Sequence, residues 1–258
     1  MKEIIKEGLI EIVGKENYTD QIIDLVSYSY DASEYRSRPE CAVWAESTDQ
    51  ISWILRLADK NRTPIVPRGA GTGLAGLSVP VKGGILLDLS RMDQIIRVSI
   101  PDRLSVVQPG VVYADLQEAL ASDGFFYPPD PASGKVCTLG GNVATNAGGL
   151  RGAKYGTTRD YVLALEVVLA DGEVMRIGSQ TMKCSSGYDL TRLFVGSEGT
   201  LGVVTEITLK ISPKPTEVAT AVAAFDRLEG AGEAVTLIMQ SGVTPSVLEL
   251  IDANTISV

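Results

Sequence analysis

Pro67-Arg68-Gly69-Ala70-Gly71-Thr72-Gly73-Leu74-Ala75-Gly76 is the stretch on which the fold turns. Its second half, Gly71 to Gly76, spells GxGxxG and follows a short apolar run at 64–67 that suits a strand. A dinucleotide-binding βαβ unit needs that motif to open a helix whose N-terminus faces a pyrophosphate, with an acidic residue about 20 positions on. Here Pro80, Gly83 and Gly84 interrupt the chain, and the next apolar run, 85–89, reads as another strand. Nothing helical fits between, so the Rossmann reading fails. The loop keeps a physical use. Small residues free to adopt positive φ can turn successive backbone N–H groups toward one anion, and a pyrophosphate suits such a nest. A plain surface loop fits the same residues.

Working outward, the first ninety residues alternate helix and strand. Apolar positions at helical spacing predict helices over 2–13 and 20–29, the second capped by Thr19 or Asp20. A strand at 41–45 precedes a helix at 49–60, capped by Ser47 or Thr48, with Ile51, Ile54, Leu55 and Ala58 on one face. Strand, helix, strand, loop, strand predicts a small, mostly parallel sheet.

Beyond residue 90 the texture changes. Runs at 95–100 and 104–108 flank the turn Pro101-Asp102-Arg103, and a helix over 113–122 stops at Gly124. Runs at 163–169 and 173–177 flank Asp171-Gly172, a strong hairpin signal. A longer strand at 202–211 ends before Pro213 and Pro215. The second region therefore reads as antiparallel sheet with helices, and the whole as α+β. Pro213-Lys214-Pro215 is the one credible domain boundary.

Composition excludes several classes. The formal net charge is −9 and no basic stripe breaks it, which argues against a nucleic-acid partner. No apolar run approaches the roughly 20 residues of a transmembrane helix, and the first residues lack a signal peptide's features. A cytoplasmic protein is the expectation. Cys41, Cys137 and Cys184 are dispersed without a CxxC pair, which predicts buried thiols and no metal site. The chain contains no histidine.

A second segment reinforces the first. Residues 138–149, Thr-Leu-Gly-Gly-Asn-Val-Ala-Thr-Asn-Ala-Gly-Gly, are almost all small or amide-bearing. Such a run offers little hydrophobic burial. Close backbone approach to a flat ligand explains it, and isolated structural glycines are the alternative.

At this point the chain resembles a known family. Tyr35-Arg36-Ser37-Arg38-Pro39, Pro67-Arg68-Gly69-Ala70-Gly71-Thr72-Gly73, Pro129-Asp130-Pro131-Ala132-Ser133, Gly140-Gly141-Asn142 and Gly196-Ser197-Glu198-Gly199-Thr200-Leu201-Gly202-Val203-Val204 occur in the order found in FAD-binding domains of the vanillyl-alcohol oxidase and p-cresol methylhydroxylase type. Within that type the chain is most similar to the flavoprotein group of glycolate oxidase and D-lactate dehydrogenase. The resemblance implies a two-subdomain FAD-binding fold, a small parallel α/β subdomain plus a larger antiparallel sheet with helices. It implies an FAD-binding domain over 1–214 and the start of a substrate-cap domain at 215–258. The chain is then either a truncated form or one polypeptide of a split enzyme.

Carried over residue by residue, the resemblance implies that the loop Arg68, Gly69, Ala70, Gly71, Thr72 and Gly73 wraps the FAD pyrophosphate with backbone amides, with Pro67 beside it at the cofactor. Pro131, Ala132, Ser133, Thr138, Gly141, Asn142 and Thr145 line the flavin and its linker. Glu198, Gly199, Gly202 and Val204 lie along the adenosine end. The activity implied is dehydrogenation of a short 2-hydroxy acid such as glycolate or D-lactate, with hydride passing to flavin N5. Some relatives attach FAD through histidine; with none here, the FAD is expected to be non-covalent. A redox partner subunit or electron-transfer protein is implied, and a flavin-carrying electron-transfer subunit without its own substrate site is the alternative function. Arg36, Arg38, Arg151, Lys154 and Tyr155 stand near the motifs, but surface and packing roles account for them at least as well, so no catalytic residue is assigned.

Overall fold

The computed structural model describes residues 2–256. The N-terminal part contains α1 (Glu3–Val13), β1 (Tyr18–Thr19), α2 (Ile22–Ser27), β2 (Cys41–Trp44), α3 (Thr48–Asn61), β3 (Ile65–Arg68) and β4 (Ile85–Asp88). Its sheet runs β1-β2-β4-β3, with β2, β3 and β4 parallel and β1 antiparallel at the edge. Helix α3 starts where Ser47 Oγ accepts from Gln50 N at 3.3 Å, and it buries the expected stripe of Ile51, Ile54, Leu55 and Ala58. Helix α1 buries Ile5, Leu9 and Val13 in the same core, against Val43, Ile85 and Leu87 of the sheet.

The second part contains β5 (Ile95–Ser99), β6 (Leu104–Val107), α4 (Tyr113–Ala121), β7 (Phe125–Phe126), α5 (Leu139–Thr145), α6 (Gly152–Tyr155), β8 (Val162–Val168), β9 (Val174–Gly178), α7 (Leu190–Phe194), β10 (Val203–Lys210) and β11 (Ser212–Pro213). Five of its strands form an antiparallel sheet, β5-β6-β10-β8-β9. Leu116 and Leu120 of α4, Leu139 and Val143 of α5 and Phe194 of α7 pack on it. Beyond β11 come α8 (Leu228–Gln240) and α9 (Ala253–Ile256), neither of which has a buried residue. No helix of the described residues is long and apolar enough to cross a membrane.

Three local expectations change. The predicted helix at 20–29 is shorter and starts after Gln21, without a side-chain cap, because Thr19 is committed to β1 opposite Ala42. Thr19 Oγ1 instead donates to Asp24 Oδ2 at 2.6 Å. Cys41 and Cys137 are buried as expected, but Cys184 is exposed. The run 138–149 is not free of packing. It contains α5, whose Leu139 and Val143 are buried, and a Cβ on Gly140 would stand 2.9 Å from Pro109 O. Gly149 likewise abuts the Asp130 carbonyl. Some of these glycines therefore serve backbone packing.

The two sheets meet along α3 and the β8–β9 hairpin. Ser52 Oγ donates to Gly172 O at 2.5 Å, and Val168 and Val203 of the large sheet join the core of the small one. At the centre of this seam is Glu166, a nearly buried carboxylate on β8. Thr48 Oγ1 donates to its Oε1 at 2.8 Å from the start of α3, and Thr205 Oγ1 does so at 2.9 Å from β10. Arg176 Nη2 stands 2.7 Å from Oε2. Burial pushes the Glu166 pKa upward, but hydrogen bonds from Thr48, Arg176 and Thr205 outweigh it and hold it below the usual carboxylate range. A depressed folded pKa stabilises the fold above the unfolded value of about 4.3 and loses that contribution as pH falls through the folded one. Glu166→Ala is expected to lose roughly 1–2 kcal/mol at pH 7, since Thr48 Oγ1 loses its acceptor, Thr205 Oγ1 keeps only the Glu166 carbonyl, and a charge-assisted pair to a largely exposed arginine is broken. Urea melts should show the gap between wild type and variant narrowing toward about pH 3; a gap unchanged by pH means the charge contributes nothing.

Candidate functional site

Strands β3 and β4 are parallel neighbours, so the chain must return the full length of the sheet between them. Residues 69–84 make that return without a helix. The path begins at the carboxyl end of β3, the edge at which open α/β sheets bind ligands. Among the described residues, no backbone N–H from Gly69 to Ser78 donates to a protein acceptor. Residues 69–78 are half-buried or exposed, so water can meet these donors in the free protein, and a run of donors left open at a strand end suits a ligand cradle. Gly71 and Gly76 hold φ of +67° and +76°, the left-handed region that lets successive amides converge.

Opposite the loop stands α5. Its N-cap Thr138 accepts from Gly141 N at 3.4 Å and touches Gly69, so the loop and the helix meet there side chain to backbone. At the other end of α5, the carbonyls of Val143 and Ala144 accept from Gly196 N at 2.9 Å and Glu198 N at 2.8 Å. This brings the segment 196–202 onto the same opening. Glu198 takes φ of +60° and Gly199 +74°, an uncommon conformation for a non-glycine residue and one that clusters at ligand sites.

Together these elements enclose a cavity of about 860 Å³, within the range of cofactor sites. Every residue expected at the cofactor lies on its wall: Pro67, Arg68, Gly69, Ala70, Gly71, Thr72 and Gly73; Pro131, Ala132 and Ser133; Thr138, Gly141, Asn142 and Thr145; Glu198, Gly199, Gly202 and Val204. Sequence reasoning missed Asp31, Leu77, Ser78, Leu89, Pro109, Cys137, Phe194 and Ser197, which also line it. No pattern marks most of these, because they reach the wall from flanking elements. Ser197 had a signal, since it stands inside the motif at 196–204.

The wall combines open backbone amides with small, apolar and amide-bearing residues. Asn142 is 4% exposed and its Nδ2 is a buried donor without a protein partner, a cost of about 1–3 kcal/mol if left unmet. Gly73 has neither a left-handed φ nor any protein atom within 4 Å of a Cβ built on it. Folding does not require glycine there, whereas close approach of a ligand does. Among the described residues, no group of three or more His, Cys, Asp and Glu side chains is arranged to hold a metal.

The charged residues flanking the motifs are otherwise engaged. Arg36 Nη1 donates to Ser33 O and Tyr35 O at 2.7 and 2.6 Å. Arg151 Nε stands 3.4 Å from Asp130 Oδ2 while its guanidinium covers Phe126. Lys154 lies over the Tyr155 ring, and Tyr155 packs edge-on against Phe126. None of these lines the cavity.

Residues 39–178 match the family described as FAD binding domain, and residues 214–258 match FAD linked oxidases, C-terminal domain. The chain is 47% identical over 255 residues to the glycolate oxidase subunit GlcD of Bacillus subtilis (strain 168), covering 98% of this chain and 54% of that protein. It is 42% identical over 217 residues to the D-lactate dehydrogenase of Anaerostipes hadrus, covering 84% and 46%. The chain thus spans about half the length of the curated relatives it matches. Among solved structures, alkyldihydroxyacetonephosphate synthase superposes with a TM-score of 0.82 at 23% identity, covering 96% of this chain and 47% of the other. Substrate-bound p-cresol methylhydroxylase superposes at 0.79 and 22%, covering 92% and 48%. These superpositions establish the shared fold.

Three glycine substitutions separate ligand approach from backbone strain. Gly73→Val is expected to leave the apo-protein's stability within about 0.5 kcal/mol, yet to weaken ligand binding at least tenfold (about 1.4 kcal/mol). Gly71→Val is expected to cost both, because its φ is left-handed and its Cβ would meet the Arg68 guanidinium. Gly83 also holds φ of +67°, so valine there should cost roughly 1–2 kcal/mol of stability with ligand affinity unchanged. Thermal melts of the apo forms beside ligand titrations check this; Gly73→Val binding like wild type would remove that glycine from the site.

Proposed function

The chain belongs to the FAD binding domain family, and from that premise we propose that it holds FAD in the cavity between its two sheets and serves the oxidation of a short 2-hydroxy acid such as glycolate or D-lactate. The observation that carries the FAD site is the run of unpaired amides from Gly69 to Ser78 at the carboxyl end of β3. Those amides hold the pyrophosphate with Pro67 on the wall beside them, while Pro131, Ala132, Ser133, Thr138, Gly141, Asn142 and Thr145 line the flavin side. Glu198, Gly199, Gly202 and Val204 flank the adenosine. Asn142 Nδ2 supplies a hydrogen-bond donor and Phe194 and Val203 supply apolar wall. FAD provides, when bound, a two-electron hydride acceptor for the carbon that bears the hydroxyl.

Residues 1–214 form the FAD-binding domain in this reading, and 215–258 open the substrate cap; the match of 214–258 to the C-terminal domain of FAD-linked oxidases supports it. The proton acceptor for the substrate hydroxyl is not a histidine of this chain, which has none. The same fact leaves this chain no residue for a histidyl link, which supports reading the FAD as held non-covalently. The electrons leave through a redox partner.

Acid precipitation of the yellow protein is expected to release all of its flavin as FAD. Colour left on the washed pellet would overturn the non-covalent reading and direct attention to Cys137, the one thiol on the cavity wall. Added FAD should raise the unfolding free energy by about 2.7 kcal/mol at a hundredfold excess over its Kd.

The substrate reading is tested by anaerobic titration of the FAD-loaded protein with glycolate and D-lactate, alone and with the remaining half of the Bacillus subtilis relative supplied in trans. The chain alone is expected to be reduced by dithionite and to turn over below about 1 s⁻¹; flavin bleaching by a hydroxy acid should accompany the added half. Bleaching by neither acid in either arrangement would leave FAD binding intact and sink the dehydrogenase.

A further inference from the structure

The cavity wall is short of positive charge. Arg68 is its only cation among the described residues, against the carboxylates of Asp31 and Glu198. A pyrophosphate would ordinarily take such an arginine as its counter-ion. The side chain is committed elsewhere. Arg68 is 8% exposed, and its Nη1 donates to Tyr30 O at 2.9 Å and to Ser78 O at 3.4 Å. Its guanidinium lies 5.5 Å over the ring of Tyr28, whose O–H donates to Asp88 Oδ2 at 2.7 Å.

The same guanidinium is wedged beneath the turn of the loop. A Cβ on Gly71 would stand 2.6 Å from Arg68 Cζ. The residue that begins the loop therefore reaches along its inside and holds its far end at Ser78. Asp31 secures that end from the other side, accepting from Ser78 Oγ at 3.2 Å.

Resting on the FAD reading above, we propose that Arg68 is a positioning residue whose guanidinium braces the loop 69–78 from within, so that the pyrophosphate is bound by the amides this brace sets in place and not by the arginine's charge. Nη1 alone meets both carbonyls while the guanidinium carbon lies over the Tyr28 ring; lysine keeps the charge but replaces that broad planar group with a compact ammonium.

The experiment compares FAD and riboflavin, which lacks the pyrophosphate, on wild type, Arg68→Lys and Arg68→Met, with thermal melts of each apo form. Both variants are expected to weaken FAD by at least about tenfold, to a similar extent, with riboflavin affinity unchanged. Lysine restoring wild-type FAD affinity where methionine fails would overturn the brace in favour of a phosphate ion pair, and two variants that bind FAD like wild type would overturn any role. Because a variant can fail to fold, FAD affinity of wild type is also measured between about 0.05 and 0.5 M salt. A flat profile supports binding by neutral amides, and a steady fall with salt contradicts it. Wild type that takes up no FAD would instead refute the functional reading on which the proposal rests.

Discussion

Two neighbouring parallel strands, β3 and β4, are joined here with no helix between them. A parallel connection has to travel back along the sheet, and a helix would ordinarily carry it while pairing its own amides. Removing the helix leaves the residues from Gly69 to Ser78 with backbone donors that no protein acceptor takes up. The rest of the site answers that deficit. α5 and the segment 196–202 close over the loop, and the space they enclose presents those donors to a ligand.

A loop of small residues has little of its own to hold it in shape, so its supports come from outside. The stretch around residue 30 provides most of them: Tyr30 O accepts from Arg68, Asp31 accepts from Ser78, and the Tyr35 ring packs on Gly76. Ser37 Oγ adds a hydrogen bond to Pro80 O at 2.8 Å. This accounts for Tyr35 and Ser37 within the motif Tyr35-Arg36-Ser37-Arg38-Pro39, which lies outside the cavity wall and scaffolds what does line it. The electrostatics follow the same division. With two carboxylates and one arginine on the wall, the proposed attraction for an anion would rest with backbone amide dipoles.

The position of the cavity between the sheets makes their junction part of the site. Glu166 ties α3, β9 and β10 together through Thr48, Arg176 and Thr205, and the hairpin at Gly172 docks on Ser52 and Arg56. Val168 and Val203 pass from the large sheet into the core of the small one. Val203 also lines the cavity, so one residue serves the packing of the junction and the wall of the site.

Much of this was legible in the chain because it follows from local pattern. The spacing of Ile51, Ile54, Leu55 and Ala58, the Asp171-Gly172 turn, and the prolines and glycines after Gly76 each specify an element without reference to distant residues. The glycine loop is consistent with the proposed anion cradle for the same reason, since conformational freedom is a property of the residue. Where a second partner decides the outcome, the chain was silent or misleading. Thr19 pairs with β2 and does not cap α2, Gly140 and Gly149 are small because Pro109 and the Asp130 carbonyl press on them, and Arg68 faces inward to Ser78 and Tyr30. Local propensity and periodicity act over a few residues and are written in order along the sequence; close approach and hydrogen-bond partnership are properties of pairs that only the closed tertiary fold brings together.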